Sequence, residues 1–396
     1  MLPGLAIEQE LQLDYHINEH IVLIPAGQKH QSRLETTVFQ PNGPGPFPLI
    51  IINHGKDPGR PNLQPRDRFY YMAHAFVERG YAVMVPMRQG FANSTGYYRD
   101  HGCDMTANGY TQAEDIADAL DYARAQKWVD TDRIVVAGQS YGGLAAMALG
   151  TRDLKGVRGL INFAGGLRDD SNGCGWRSAL VSAFSEYGAQ NKVPSLWMYG
   201  ENDSLFGPDL VARMHDAFEQ AGGRAELVEY APFKRDSHGM LASRDGRKVW
   251  LEDTMKFLDR VGMPTQVLHK VPEPPQPTPT NFASIDDVEA VPFLSENGKR
   301  AYQEYLTKMT PRAFAVSASG GWCWAEEGED PEARALATCS AKSDKPCRLY
   351  SVDEHVVWNP DLAEKAAVTA SNTPAPSVPA DGGASPASGG SVAVTN

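Results

Sequence analysis

Residues 133–150 read Arg133-Ile-Val-Val-Ala-Gly-Gln-Ser140-Tyr-Gly-Gly-Leu-Ala-Ala-Met-Ala-Leu-Gly150. The β-branched run Ile134 to Val136 suits a buried strand, and Leu144 to Leu149 suits an apolar helix. Gly138 and Gly142 stand two residues either side of Ser140, where a side chain would collide as the chain doubles back. The pattern predicts a strand, a sharp turn and a helix, with the Ser140 hydroxyl pushed clear of the sheet edge. The start of the helix offers backbone N–H groups and a positive dipole end to a developing oxyanion. The short Gly-x-Ser-x-Gly pattern also occurs in Gly-rich turns that carry a solvated serine, so its partners must come from the rest of the chain.

The 396-residue chain is 42% hydrophobic, enough to bury a large core and to form two or three domains. Its formal charge of -12 disfavours nucleic acid or an anionic membrane as the main partner, and no apolar run is long enough to span a bilayer. The N-terminal residues lack the basic and apolar regions of a signal peptide. The five cysteines show no C-x-x-C spacing, which argues against a zinc site, and acyl transfer by a serine nucleophile calls for no metal or organic cofactor.

Residues 1–262 alternate strand and helix signals. Expected strands are His20 to Ala26, Arg33 to Gln40, Pro48 to Asn53, Tyr81 to Pro86, the strand before Ser140, Val157 to Ala164, Pro194 to Gly200 and Ala225 to Tyr230. Expected helices are Arg66 to Arg79, Thr111 to Gln126, Arg177 to Tyr187, Asp209 to Ala221 and Arg247 to Val261. This is an α/β class: an eight-stranded, mostly parallel sheet flanked by helices. Residues 263–280 read as a Pro-rich linker, 281–360 as a small α+β module with an amphipathic segment Asn297 to Met309, and 361–396 as a disordered Ala/Ser/Pro/Gly/Thr tail.

A serine nucleophile needs a base and an acid, which follow it along the chain in this kind of fold. Asp203 lies just after the seventh strand, in Gly200-Glu-Asn-Asp203, and His238 lies after the last strand. Both fall at the strand edge that carries Ser140. Asp203 could instead cap the next helix, leaving Glu201 or Asp209 as the acid, but the Gly-x-x-Asp position favours Asp203. His215 falls inside a predicted helix, away from the strand ends. The loop after the third strand, Asn53-His54-Gly55-Lys56, is placed to supply the Lys56 N–H beside the Tyr141 N–H as oxyanion donors.

Residues 20–262 resemble the α/β-hydrolase superfamily. The short His54-Gly55 loop, Pro86-Met-Arg-Gln-Gly-Phe-Ala-Asn-Ser-Thr-Gly96, Gly138-Gln-Ser-Tyr-Gly-Gly143 and Gly200-Glu-Asn-Asp203 resemble its dienelactone-hydrolase-like branch. Dienelactone hydrolases carry cysteine at the nucleophile position; Ser140 here points to an esterase. Residues 311–358 resemble small C-terminal modules attached to some bacterial hydrolases. Expected substrates are small or polymeric esters. His54, Gly55, Arg88, Tyr97 and Trp176 are candidate substrate contacts, and the short Gly165 to Trp176 loop predicts an open, lidless cleft.

Convergence of Met87 to Gly109 with Gly165 to Trp176 above the sheet would allow a Cys103–Cys174 disulfide. Cys339 and Cys347 would close a short loop, leaving Cys323 odd. Such pairs imply an oxidising compartment, periplasmic or secreted. Two alternatives stand: a serine peptidase of the prolyl-oligopeptidase type, weakened because no stretch before Asn53 is long enough for a propeller, and a scaffold protein with a decayed hydrolase domain.

Overall fold

The computed structural model describes residues 13–273, 276–326 and 330–360; the expected tail lies outside them. Strands β1 (His20–Ala26), β2 (Ser32–Phe39), β3 (Phe47–Asn53), β4 (Ala82–Pro86), β5 (Val129–Gln139), β6 (Val157–Phe163), β7 (Ser195–Gly200) and β8 (Ala225–Tyr230) form one sheet. Its order is β1-β2-β4-β3-β5-β6-β7-β8, antiparallel through β2 and parallel from β4 onward. Helices α1 (Tyr70–Val77), α2 (Met105–Arg124), α3 (Tyr141–Leu149), α4 (Trp176–Gln190), α5 (Pro208–Gln220) and α6 (Arg244–Arg260) flank it. This is the α/β-hydrolase fold. The central strands are covered on both faces, which is why Leu49 to Ile52 and Ile134 to Val136 are continuous apolar runs, all fully buried. In register, Asn53 of β3 faces Gly138 of β5, and Gly138 faces Asn162 of β6. The loops leaving these strands therefore emerge together at one sheet edge.

Two helices differ from the sequence reading. The helix expected from Arg66 begins only at Tyr70. Arg68 turns inward to bond Glu19, Arg66 lies buried beside the same carboxylate, and Phe69 adopts a left-handed φ of 45°. The helix expected from Thr111 begins six residues earlier, at Met105, because the Asp104 side chain accepts the Ala107 N–H as an N-cap.

A second, antiparallel sheet forms in the C-terminal region from β9 (Arg312–Ser317), β10 (Trp322–Glu326), β11 (Cys347–Val352) and β12 (His355–Val356), ordered β10-β9-β11-β12. It carries helices α7 (Glu296–Tyr305) and α8 (Pro331–Ser340). Alternation along β9 divides its neighbours. Phe314 and Val316 face Tyr302, Tyr305, Tyr350 and Trp358, while Ala313 and Ala315 face Ala335 and Cys339 of α8.

Residues 264–273 of the Pro-rich stretch lie against the first sheet and its helices. The Tyr81 hydroxyl donates to the Pro264 carbonyl (2.6 Å), the Leu268 N–H donates to the Glu78 carbonyl (2.8 Å), and Glu273 pairs with Arg244 and Arg247. Cys103 is bonded to Cys174 and Cys339 to Cys347, leaving Cys323 as a half-buried thiol. Among the described residues no helix is long and apolar enough to cross a membrane.

Candidate active site

Ser140 sits between β5 and α3 with φ 54° and ψ -122°, a strained conformation for a residue with a side chain. The glycines around it allow the turn. A Cβ on Gly138 would stand 2.1 Å from the Gly142 carbonyl oxygen, and one on Gly142 would stand 2.2 Å from that of Asn53. Tyr141 is the first residue of α3, where helix geometry leaves the N–H without an intrahelical partner.

His238 and Asp203 are brought together at the same edge. Asp203 follows β7, and its Oδ1 accepts the Leu205 and Phe206 N–H groups, each at 2.9 Å. It is thus both the local cap and the partner of the histidine. Its Oδ2 accepts a 2.9 Å hydrogen bond from His238 Nδ1, which puts that ring proton on Nδ1 and leaves Nε2 as the basic nitrogen. Behind the pair, Asp236 Oδ1 accepts the His238 N–H (2.9 Å), and the Gln139 side-chain amide donates to the His238 carbonyl (2.8 Å). The imidazole is buried, which disfavours its charged form, but the Asp203 carboxylate, with Asp236 beyond it, outweighs burial and holds the pKa above the ordinary 6.5. Asp236 and Gln139 escaped the sequence reading. Asp236 carried a signal all the same, as an N-cap two residues before the histidine.

The loop after β3 lies over Ser140: a Cβ on Gly55 would stand 3.2 Å from the Ser140 Cβ. Buried Arg88 holds this loop from behind. Its guanidinium donates to the His54 carbonyl (2.6 Å), the Gly55 carbonyl (3.2 Å) and Gln112 Oε1 (2.8 Å). Burial pulls the Arg88 pKa down to about 10. His54 Nδ1 donates to the Gly55 carbonyl (2.6 Å), and Nε2 accepts the Arg88 N–H (3.0 Å). Burial, then the Arg88 charge, press the His54 pKa well below its usual value, so this histidine is neutral scaffolding.

Ser140, Tyr141, Gly55, Lys56 and His238 line one cavity of about 1220 Å³. Asp203 lies directly behind His238. The other expected substrate contacts are corrected. Arg88 and His54 are consumed in holding the loop, Tyr97 projects into solvent at 88% exposure, and Trp176 is buried at the start of α4 against Phe206. Only Gly55 of that set reaches the cavity. His215 packs edge-on to Trp197, away from the cleft.

The expectation of an open cleft is also corrected. The loop 165–176 is short, as read, but Met309, Pro311, Glu326, Glu332 and Val352 of the C-terminal region wall the cavity. Residues 13–16 line it as well. Pro272, Glu273 and Gln276 of the Pro-rich stretch line the same cavity. Two acids in the wall are raised to about 7: Asp67 by burial and then Asp57, and Glu332 by burial and then Asp330 and Asp353.

Residues 30–171 match the family model described as X-Pro dipeptidyl-peptidase (S15 family), a span that includes Ser140 but ends before Asp203 and His238. The chain is 30% identical over 116 residues to the quorum-quenching protein AidA of Acinetobacter baumannii, covering 29% of this chain and 35% of AidA. It is 37% identical over 100 residues to a probable dipeptidyl-peptidase 5 of Emericella nidulans, covering 24% of this chain and 13% of that protein. These matches therefore span well under two thirds of either relative's own length. A putative dienelactone hydrolase from Klebsiella pneumoniae superposes with a TM-score of 0.45 at 16% identity, covering 61% of this chain and 98% of that one.

Proposed function

We propose that this chain, an α/β hydrolase by fold, is a serine esterase that cleaves carboxylic esters through an acyl-enzyme. The observation that carries the reading is the strained turn at Ser140 sharing a cavity with a His238 whose Nδ1 is tied to Asp203. In this mechanism His238 Nε2 takes the Ser140 proton as Oγ attacks the ester carbonyl carbon. The tetrahedral oxyanion collapses, and the alkoxide leaves with that proton. Water then gives a proton to the same nitrogen, attacks the acyl-enzyme, and releases the acid and the free serine.

The oxyanion donors are the Tyr141 and Lys56 N–H groups. Arg88 supports the second assignment. It draws the Gly55 carbonyl toward itself, and in a planar trans peptide the Lys56 N–H then points the opposite way. A peptidase reading is favoured by the S15 family match over residues 30–171 and by the 100-residue match to a probable dipeptidyl-peptidase 5.

Active-site labelling with a fluorophosphonate, read by peptide mapping, tests the assignment alongside turnover of p-nitrophenyl esters and aminoacyl-proline amides. The expected result is one label at Ser140 and turnover of the esters above the amides. Ser140→Ala should abolish labelling and lower turnover by on the order of 10³ to 10⁶. Near-normal turnover in that variant would refute the reading, and faster cleavage of the amides would move it to the peptidase.

A further inference from the structure

The wall supplied by the C-terminal region reaches the candidate histidine itself. A Cβ on Gly239, the residue after His238, would stand 3.2 Å from the Thr310 carbonyl oxygen and 3.3 Å from the Met309 Cβ. Three residues before His238, Arg235 donates to the Leu306 carbonyl at 3.1 Å and pairs with Asp286. The segment 306–311 is therefore packed against the very loop that carries the imidazole. On the other flank, Arg334 of α8 donates to the Glu326 carbonyl (2.6 Å), and its charge faces Asp57 and Asp67 beside the loop of Lys56.

Met309 and Pro311 lie in the cavity wall, with Leu167, Leu205 and Phe206 of the catalytic domain lining the same space. Phe206 packs on the His238 ring at 5.5 Å between centroids. A cavity of about 1220 Å³ exceeds what a short acyl ester needs. A half-buried methionine beside the histidine loop occupies part of this wall, so the size of its side chain sets the room left there for an apolar chain.

We propose that Met309 is a specificity-determining residue and that, through it, the C-terminal module sets how long an apolar ester chain the cleft accepts. This rests on the esterase reading above. A small ester reacts in the space around Ser140 and His238 alone, whereas a longer chain runs along the wall built from residues 306–311.

The test uses the full chain with Met309→Trp and Met309→Ala, assayed on p-nitrophenyl esters from acetate to octanoate and by the rate of Ser140 labelling with short-chain and long-chain alkyl fluorophosphonates. Met309→Trp should lower kcat/KM for octanoate by about 10-fold or more, mainly through KM, while changing acetate less than about 3-fold. Met309→Ala should shift the chain-length preference the opposite way, and the labelling rates should follow the same order. If Met309→Trp does not fold, the Met309→Ala profile decides. A wild type that labels at Ser140, with a chain-length profile that the folded variants leave unchanged or move equally at all lengths, overturns this inference and leaves the esterase standing. A folded wild type with neither label nor turnover overturns the esterase reading and this inference with it.

Discussion

The eight-stranded sheet and the four-stranded sheet contribute to one cleft by different routes. The first delivers its groups through local geometry: Ser140, Asp203 and His238 stand on loops at the end of the parallel strands that brace them. The second contributes by where it docks, with residues 306–311 and α8 meeting loops that belong to the first. Strained turns constrain residue type, so they leave marks in the sequence. Docking leaves few, because many surfaces satisfy it.

The sharpest way to break this contrast is to weaken a group of the first kind. Asp203→Asn keeps the shape of the loop but removes the carboxylate that orients His238 Nδ1, and kcat should fall by about 10⁴. The same change moves the pH profile. With Asp203 present the His238 pKa is raised, so if this imidazole is the base the midpoint of the acid limb of kcat/KM should lie above the ordinary histidine value. Without the carboxylate, burial prevails and the residual activity should keep its plateau to lower pH. A pH–rate profile of both enzymes with coincident acid limbs would remove His238 from the role of base.

Legibility in the sequence follows the same division. The sharp turn at Ser140 and the meeting of Asp203 with His238 were readable because glycine spacing, strand ends and chain order each restricted the choice. The substrate contacts were not. Arg88 is a charged residue on a long loop, and nothing local reveals that its guanidinium is spent on the His54 and Gly55 carbonyls. The helix expected from Arg66 failed for a related reason: Arg68 is drawn inward by Glu19, 49 residues away, which overrides its helical preference. The Pro-rich stretch read as a spacer because prolines extend the chain, while the carbonyl and N–H bonds that pin it to α1 and its flanks are invisible in composition.

The two disulfides offer a smaller test of the same contrast. Cys103–Cys174 joins residues 71 apart across loops beside the cleft, and Cys339–Cys347 joins residues eight apart within the C-terminal module. On loop-closure entropy alone the longer link should stabilise by about 2 kcal/mol more than the shorter one. Denaturant unfolding of Cys103→Ser/Cys174→Ser and Cys339→Ser/Cys347→Ser chains would measure the difference. Equal losses would mean that native packing around each bridge, rather than restriction of the unfolded chain, sets its contribution.

The smallest effect bears most directly on docking. Arg235 is about half exposed, so its ion pair with Asp286 adds little to stability, on the order of 0 to 1 kcal/mol. Its bond to the Leu306 carbonyl nonetheless spans from the His238 loop to the C-terminal module. If that bond holds the loop in register, Arg235→Ala should lower kcat about 2- to 10-fold with KM and melting temperature nearly unchanged, since the effect falls on a group needed only as the reaction proceeds. Arg235→Lys keeps the charge but loses the forked donor that reaches both Asp286 and the carbonyl, so it should restore part of the loss and not all of it. A fall in melting temperature with kcat intact would make Arg235 a surface tether. A fall in kcat with the fold intact would make the C-terminal module part of how His238 is held.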